Sequence, residues 1–282
     1  MRVRDVMTSD PKYMEIPSTR QTALILFQKY RVNGLPVLKE GTRKLVGLVT
    51  LKDLASNPDE EQIALLMTRD VPTIGPDEEL EEACSMMVEG DIRYLPVVFE
   101  EMLVGIVTVK DILDRAVSGM ELKIYVKDIF SERVTALWEE TPLMAGYVIM
   151  DASKSRTVPV VDDEGKVVGI ISDVDIVRSA EIKESTSTDM LTTETEGDMW
   201  SLEGKNLLYV VSKNLVFPED KRIKDLMTKE VGVGRRTPLK RCAKVMVSKD
   251  LKEIPVMTPE GELAGIVKDV DVLRALIDPE DS

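Results

Sequence analysis

Gly105-Ile-Val-Thr108-Val-Lys-Asp111 decides how this chain is read. Its first half is an apolar run of strand length, and its second half, Thr-x-x-Asp, is a helix-start signature. The same sentence occurs as Gly47-Leu-Val-Thr50-Leu-Lys-Asp53, Gly169-Ile-Ile-Ser172-Asp-Val-Asp175 and Gly265-Ile-Val-Lys268-Asp-Val-Asp271. The spacing from Gly to Asp is the same each time. Working outward, each copy is preceded by an apolar–Pro–apolar step: Leu35-Pro36-Val37, Leu95-Pro96-Val97, Val158-Pro159-Val160 and Ile254-Pro255-Val256. Further upstream lie Arg4-Asp-Val-Met7-Thr, Ala64-Leu-Leu-Met67-Thr, Lys127-Asp-Ile-Phe130-Ser and Lys224-Asp-Leu-Met227-Thr. The spacing is identical from Met7 to Pro36, Met67 to Pro96 and Phe130 to Pro159, and one position shorter from Met227 to Pro255. Three landmarks in register four times define a repeat protein.

Each unit reads as β-α-β-β-α. In the second, Thr73-Ile74 is a short strand, and Leu80, Ala83, Cys84, Met87 and Val88 recur at helical spacing. Tyr94–Phe99 and Leu103–Val107 form a hairpin, and Ile112, Leu113 and Ala116 mark a second helix. The methionines fall mostly on apolar faces and read as core filling. One such unit buries too little core to stand alone, so units are expected to pair, first with second and third with fourth. Expected boundaries are 1–58, 61–120, 123–181 and 221–279. An insert, 182–220, explains why Asp175 and Asp271 lie much farther apart than Asp53 and Asp111. Within the insert region, Glu181–Met199 is rich in Ser, Thr and acids and is expected to be a mobile loop. Asn206–Pro218 is β-rich, with Ser212-Lys-Asn214 as a turn candidate, and predicts a hairpin or an extended strand.

Composition removes several function classes. The chain has 282 residues, 37 Lys plus Arg, 51 Asp plus Glu, and a net charge of −14. Such a chain repels phosphate polymers, and with aromatics at 4% it lacks a stacking surface, so no nucleic-acid role is expected. Small phosphate ligands need only a few local cations. There is no histidine, which removes Ser-His and Cys-His nucleophiles and the commonest metal ligand. Two cysteines, Cys84 and Cys242, sit in helical apolar patterns and read as reduced core residues, consistent with the cytoplasm. No run of about twenty apolar residues exists to cross a membrane. Neither a P-loop nor a glycine-rich dinucleotide fingerprint is found, so no catalytic residues are assigned and the chain is not expected to be an enzyme.

The three landmarks together resemble the cystathionine-β-synthase (CBS) domain, and the resemblance covers the chain except for the insert. It implies an α/β (α+β) fold of four β-α-β-β-α repeats, paired into two Bateman modules that form a disc, similar to the gamma regulatory subunit of AMP-activated protein kinase. It implies a sensor with no catalytic cofactor, which binds AMP, ADP or ATP in clefts between paired domains and signals to a protein target. It also allows a homodimer. By the resemblance, Asp53, Asp111, Asp175 and Asp271 hold ribose. Thr50, Thr108, Ser172 and Lys268 face phosphate, assisted by Arg93, Arg156 and Lys252; the first unit carries Asn33 at that basic position. Adenine would lie on the opening of each unit: Pro11–Met14, Val71–Ile74, Val134–Leu137 and Glu230–Val233.

The chemistry fits independently. An ionised Asp can accept two bonds from vicinal ribose hydroxyls, and a helix start with a hydroxyl donor favours an anion. Thr-x-x-Asp is equally a capping box, in which Thr and Asp serve only the helix; Lys268, lacking a hydroxyl, is expected not to cap. Two alternatives stay open: a module for S-adenosylmethionine or methylthioadenosine, which would make Arg93 and Arg156 dispensable, and a structural scaffold with empty clefts.

Overall fold

The computed structural model describes residues 1–57, 59–117, 119–120, 123–179, 181–190, 207–229 and 231–277. The first repeat begins with a helical turn, Val3–Val6, followed by β1 (Met14–Ile16), α1 (Arg20–Tyr30), β2 (Gly34–Lys39), β3 (Leu45–Thr50) and α2 (Leu51–Ser56). The second begins at Ile63–Leu66. It continues through α3 (Leu80–Glu89), β4 (Tyr94–Phe99), β5 (Met102–Thr108) and α4 (Val109–Asp111), which a π-helical stretch, Ile112–Val117, prolongs. Its expected first strand is one parallel bridge, Ile74 to Val97. The third holds β6 (Leu137–Trp138), α5 (Leu143–Ala152), β7 (Thr157–Val161), β8 (Val167–Ser172) and α6 (Asp173–Arg178).

An insert pairs β9 (Glu181–Met190) with β10 (Leu207–Val216), antiparallel throughout. The fourth repeat holds β11 (Thr228–Lys229), β12 (Val233–Gly234), α7 (Leu239–Lys249), β13 (Glu253–Met257), β14 (Leu263–Lys268) and α8 (Asp269–Ile277).

In every repeat the apolar–Pro–apolar strand lies beside the first strand or bridge and pairs with the Gly-containing strand. A register shift follows the same valine three times, at Val37/Leu38, Val97/Val98 and Val160/Val161. The bulge bends each hairpin at one place, as an extra residue in one strand does.

The expected loop 181–199 is corrected over 181–190, which is strand. Ser and Thr satisfied a loop composition, but Thr is β-branched, and Ile182, Thr186 and Thr188 recur at even spacing, the strand period. The expected turn at Ser212–Asn214 is likewise corrected: those residues run through the middle of β10, opposite Ser185, Glu184 and Lys183. Residues 191–199 lie outside the described residues.

The landmarks explain one another through the pairing. Thr8 of the first repeat exchanges backbone bonds with Ile106 of the second, at 2.8 and 3.1 Å. Thr68 of the second does the same with Leu48 of the first, at 2.9 and 3.0 Å. Ser131 of the third pairs with Ile266 of the fourth, and Thr228 of the fourth with Ile170 of the third. Each opening segment therefore joins its partner's sheet, by a single bridge in the first three repeats and by the short strand β11 in the fourth. The residue before it, Met7, Met67, Phe130 or Met227, lies against the partner's motif glycine. A Cβ at Gly105 would sit 2.6 Å from Met7 Sδ, and one at Gly169 2.6 Å from the Thr228 carbonyl oxygen. Met-Thr and Gly belong to one contact made twice per pair.

The chain forms two compact units: Met1–Glu132, Val233–Val256 and Gly265 onward in one, Arg133–Gly232 and Met257–Ala264 in the other. In the first, the core of the first repeat (Met14, Ala23, Phe27, Leu35, Val37, Val49, Leu54) is completed by Ile63, Leu66 and Met67 from the second repeat's opening turn. Helix α3 packs on α8, and α7 on the π-helical stretch after α4. In the second unit, Leu137, Leu143, Met150, Val158, Val160, Ile171 and Ile176 are completed by Phe217 and by Ile223, Leu226 and Met227. Cys84 and Cys242 are buried, and burial pushes both thiols up to about 12, which leaves them unreactive.

Candidate adenosine-ligand sites

The Gly-containing strand runs directly into the second helix, so the residue ending it is the N-cap. Thr50, Thr108 and Ser172 have extended backbones, and their hydroxyls accept from the amides of Asp53, Asp111 and Asp175 at 3.3, 3.1 and 3.2 Å. The carboxylates return the favour through one oxygen, Oδ2. Asp53 Oδ2 accepts from the Thr50 amide and hydroxyl, both at 2.7 Å. Asp175 Oδ2 accepts from Ser172 at 3.1 and 2.6 Å. These are complete capping boxes. In the fourth repeat, as expected, Lys268 makes no cap bond with its side chain among the described residues. Without a hydroxyl, its amide still donates to Asp271 Oδ2 at 2.9 Å, because that half of the box needs only the backbone.

Capping uses one oxygen of each carboxylate, so the chemistry of the site turns on the other. Asp111 Oδ1 accepts from the Thr8 hydroxyl at 3.2 Å and lies 3.4 Å from Arg115 Nη2. Asp271 Oδ1 accepts from Arg274 at 2.8 Å. Asp53 and Asp175 have no side-chain partner at Oδ1 among the described residues. Burial holds the Asp271 carboxyl above its ordinary value, against the opposing Lys268 amide and Arg274.

The basic position, distant in sequence, is brought to the cap in all four repeats. The carbonyls of Asn33, Arg93, Arg156 and Lys252 accept from the amides of Leu51, Val109, Asp173 and Asp269, the residues just after the cap, at 3.1, 3.3, 2.9 and 2.8 Å. Their side chains differ. Arg93 forms an ion pair with Asp269 of the fourth repeat, with side chains 28% and 7% exposed. Burial lowers the Arg93 pKa. Arg93 is thus committed within the protein. Arg156 is exposed, and no carboxylate among the described residues engages it. Lys268 lies 3.9 Å from the half-buried Glu253. Lys252 is exposed.

The expected adenine walls contain buried core residues. Met14, Ile74, Leu137 and Val233 are 3%, 5%, 2% and 6% exposed. Glu230 lies outside the described residues. A cavity of about 310 Å³ lies between Lys44–Gly47, Asp70–Thr73 and the β4–β5 turn at Val98 and Glu101. It sits by the start of β3, at the opposite end of that strand from Thr50, and none of the predicted ribose or phosphate residues lines it.

Sequence reasoning missed Thr8, Arg115 and Asp269. Arg115 is four residues after Asp111 on one helix, a spacing that marks an ion pair. Asp269 is 176 residues from Arg93, and no local signal announces it.

The repeat, the exchanged opening segments and the capped Asp together define a class of small paired α/β modules, and the family comparison agrees. The chain belongs to the CBS domain family, whose model matches residues 3–60, 61–118, 126–181 and 223–278. An uncharacterized conserved protein from Pyrococcus horikoshii shares the fold with a TM-score of 0.67 and 26% identity, covering 98% of this chain and 100% of that one. The Methanocaldococcus jannaschii protein MJ1225, proposed as an archaeal homologue of g-AMPK, has a structure with a TM-score of 0.67 at 18% identity, covering 98% and 100% of the two chains. In sequence it is 22% identical over 279 residues, 91% of this chain and 92% of that one. Inosine-5'-monophosphate dehydrogenase of the same organism is 35% identical over 115 residues, which is 40% of this chain. The chain spans only 22% of that enzyme's length. No helix among the described residues is long and apolar enough to cross a membrane.

Proposed function

We propose that this chain is a non-catalytic regulatory protein that binds an adenine nucleotide at the third repeat and signals its occupancy to a partner protein. The observation that carries the reading is the set Arg156, Ser172 and Asp175. One carboxylate oxygen of Asp175 is spent on the helix cap and the other is open to a ribose. Arg156, held beside that cap by the Asp173 amide, has no acidic partner among the described residues and is a cation for phosphate. The second repeat, with the full motif Arg93, Thr108 and Asp111, is a weaker candidate, because Asp269, Thr8 and Arg115 already occupy its groups. The fourth is weaker too, since Arg274 engages Asp271.

The first repeat supports a second ligand class. Asp53 has its outer oxygen open, and Asn33 stands in place of a cation. That site suits an adenosine without phosphate, such as S-adenosylmethionine or methylthioadenosine.

Calorimetric titration with AMP, ADP, ATP, adenosine and S-adenosylmethionine tests both. Asp175→Ala should weaken AMP by about 1.5–3 kcal/mol, the scale of bonds to a charged group. Arg156→Ala should weaken AMP and leave adenosine nearly unchanged. A residue that only caps predicts another result: Asp175→Ala would lower stability by about 0.5–2 kcal/mol with AMP affinity intact. Unchanged AMP affinity in both variants refutes the proposal.

A further inference from the structure

Outside these sites, charge is distributed unequally over equivalent helices. The stretch Arg235–Lys249, leading into and through α7, carries six Lys or Arg and no acid, in a chain of net charge −14. Around α3, the equivalent helix of the second repeat, Asp77–Asp91 carries seven acids and no base. On α5, the exposed positions Met144 and Val148 are apolar. All three helices bury the same first position and the one two turns on: Leu80 and Met87, Leu143 and Met150, Leu239 and Met246. The repeat therefore dictates the buried face and leaves the outer face open to any chemistry. The cations of α7 are not a demand of the fold.

Four of the six are also not engaged by acids among the described residues. Arg236, Arg241 and Lys244 are exposed and Lys240 is half-buried. No carboxylate among the described residues lies within ion-pair distance of any of these four. Arg235 lies over the Phe130 ring, 5.1 Å from its centroid, and is 3.7 Å from Glu132. Tyr125, 40% exposed, is bridged by its backbone to Pro238 at the start of the helix. An Arg-rich face with an exposed tyrosine has the composition of protein-recognition surfaces.

We propose that this face of α7 docks an acidic peptide segment of a partner protein. Charge complementarity selects the occupant. Within the helix, from Lys240 to Lys244, the cations cover roughly 6 Å at about 1.5 Å per residue, with Arg236 just ahead of its start. That length suits a few carboxylates of an extended peptide and is short for the roughly six to ten phosphate contacts of a typical duplex site. The chain's overall negative charge further opposes a long phosphate polymer. A lipid surface needs apolar side chains to insert, and none of the exposed large hydrophobic residues lies on α7. The inference is independent of the nucleotide reading.

Fluorescence anisotropy with a labelled decaglutamate peptide tests it on the full chain. Binding at about 50 mM salt should weaken at least about tenfold at about 300 mM, as charge-driven binding does. The double variant Arg241→Glu/Lys244→Glu should lose binding about tenfold or more. Lys29→Glu/Lys39→Glu, an equal charge change at exposed positions of the first repeat, should retain it, as should Arg156→Ala. Absence of peptide binding at low salt, or equal loss in the control variant, overturns the proposal. So does tighter binding to duplex DNA or to phosphatidylserine vesicles. A native dimer that becomes monomeric in the α7 variant would also overturn it, by making a second copy the occupant.

Discussion

Gly169→Ala tests whether the repeat motif is written by the partner's opening segment. The added Cβ would lie 2.6 Å from the Thr228 carbonyl oxygen, 3.0 Å from Met227 Sδ and 3.2 Å from its Cγ. The nearest atom is backbone, bound into the β8–β11 ladder at Ile170 and Gly169, and cannot step aside without breaking that pairing. Overpacking of this kind typically costs about 1–3 kcal/mol. For a chain of this size that corresponds to a fall in Tm of roughly 2–12 °C. Gly105→Ala differs in one respect: its nearest atom is the flexible Met7 sulfur at 2.6 Å, with the Thr8 carbonyl oxygen at 3.2 Å. Shortening the methionine should therefore separate the two. Met7→Ala should recover part of the Gly105→Ala loss, whereas Met227→Ala should recover little of the Gly169→Ala loss. Urea denaturation of the four single and two double variants measures both coupling energies. Gly169→Ala within about 0.5 kcal/mol of the parent, below the cost of overpacking, or equal rescue in both cycles, would refute the reasoning.

Asp269→Ala leaves Arg93 without its buried partner and should cost about 3–5 kcal/mol in chemical denaturation, whereas Lys44→Ala, which breaks the exposed Lys44–Glu101 pair, should be nearly neutral. Burial raises the Glu253 carboxyl above its unfolded value, so its charged form opposes folding once pH exceeds the folded pKa. The folded chain then binds the extra proton in the window just above 4.5, and stability from this group falls as pH rises through that window. Glu253→Gln should accordingly gain relative to the parent between pH 5 and 7 and lose that advantage near pH 4; an advantage independent of pH would contradict the assignment. Cys84 and Cys242 should resist a thiol reagent at pH 8 until denaturant is added, and fast native labelling would contradict their burial.

The repeat, its strand and helix order and the pairing of successive units were legible because they are recorded in identity and spacing: glycine where a neighbour approaches, proline in a short strand, Asp three residues after the cap. The basic position came from the family resemblance, and the contact the structure gives it is a backbone one, made by Asn33 as well as by the three cations. What distinguishes the four sites was hidden, because it is decided by the second carboxylate oxygen. Thr8 reaches Asp111 only through the exchanged opening segment, and Asp269 reaches Arg93 across 176 residues. Residues 181–190 misled for another reason. Their composition is that of a loop, while their pairing with Leu207–Val216 is made by backbone groups that composition does not record.

The insert's ladder also bears on how the second pair closes during synthesis. In the first pair Leu48 waits for Thr68; in the second Ile170 waits for Thr228, nearly three times as far along the chain. At about 5–20 residues per second the β8 edge stands open for roughly 3–12 s of translation, against about 1–4 s for β3. Loop closure over the longer span also costs about 1 kcal/mol more. The β9–β10 hairpin removes most of that difference. It is local, and it brings Glu181 beside Val216. Once it forms, the path runs from Ile170 to Glu181, takes one step across the ladder, and continues from Val216 to Thr228. That shortened path is close in length to the stretch from Leu48 to Thr68. The ribbon thus works as a splice in the entropy of the chain, letting a long insertion pass through a repeat whose edge must be closed from a distance.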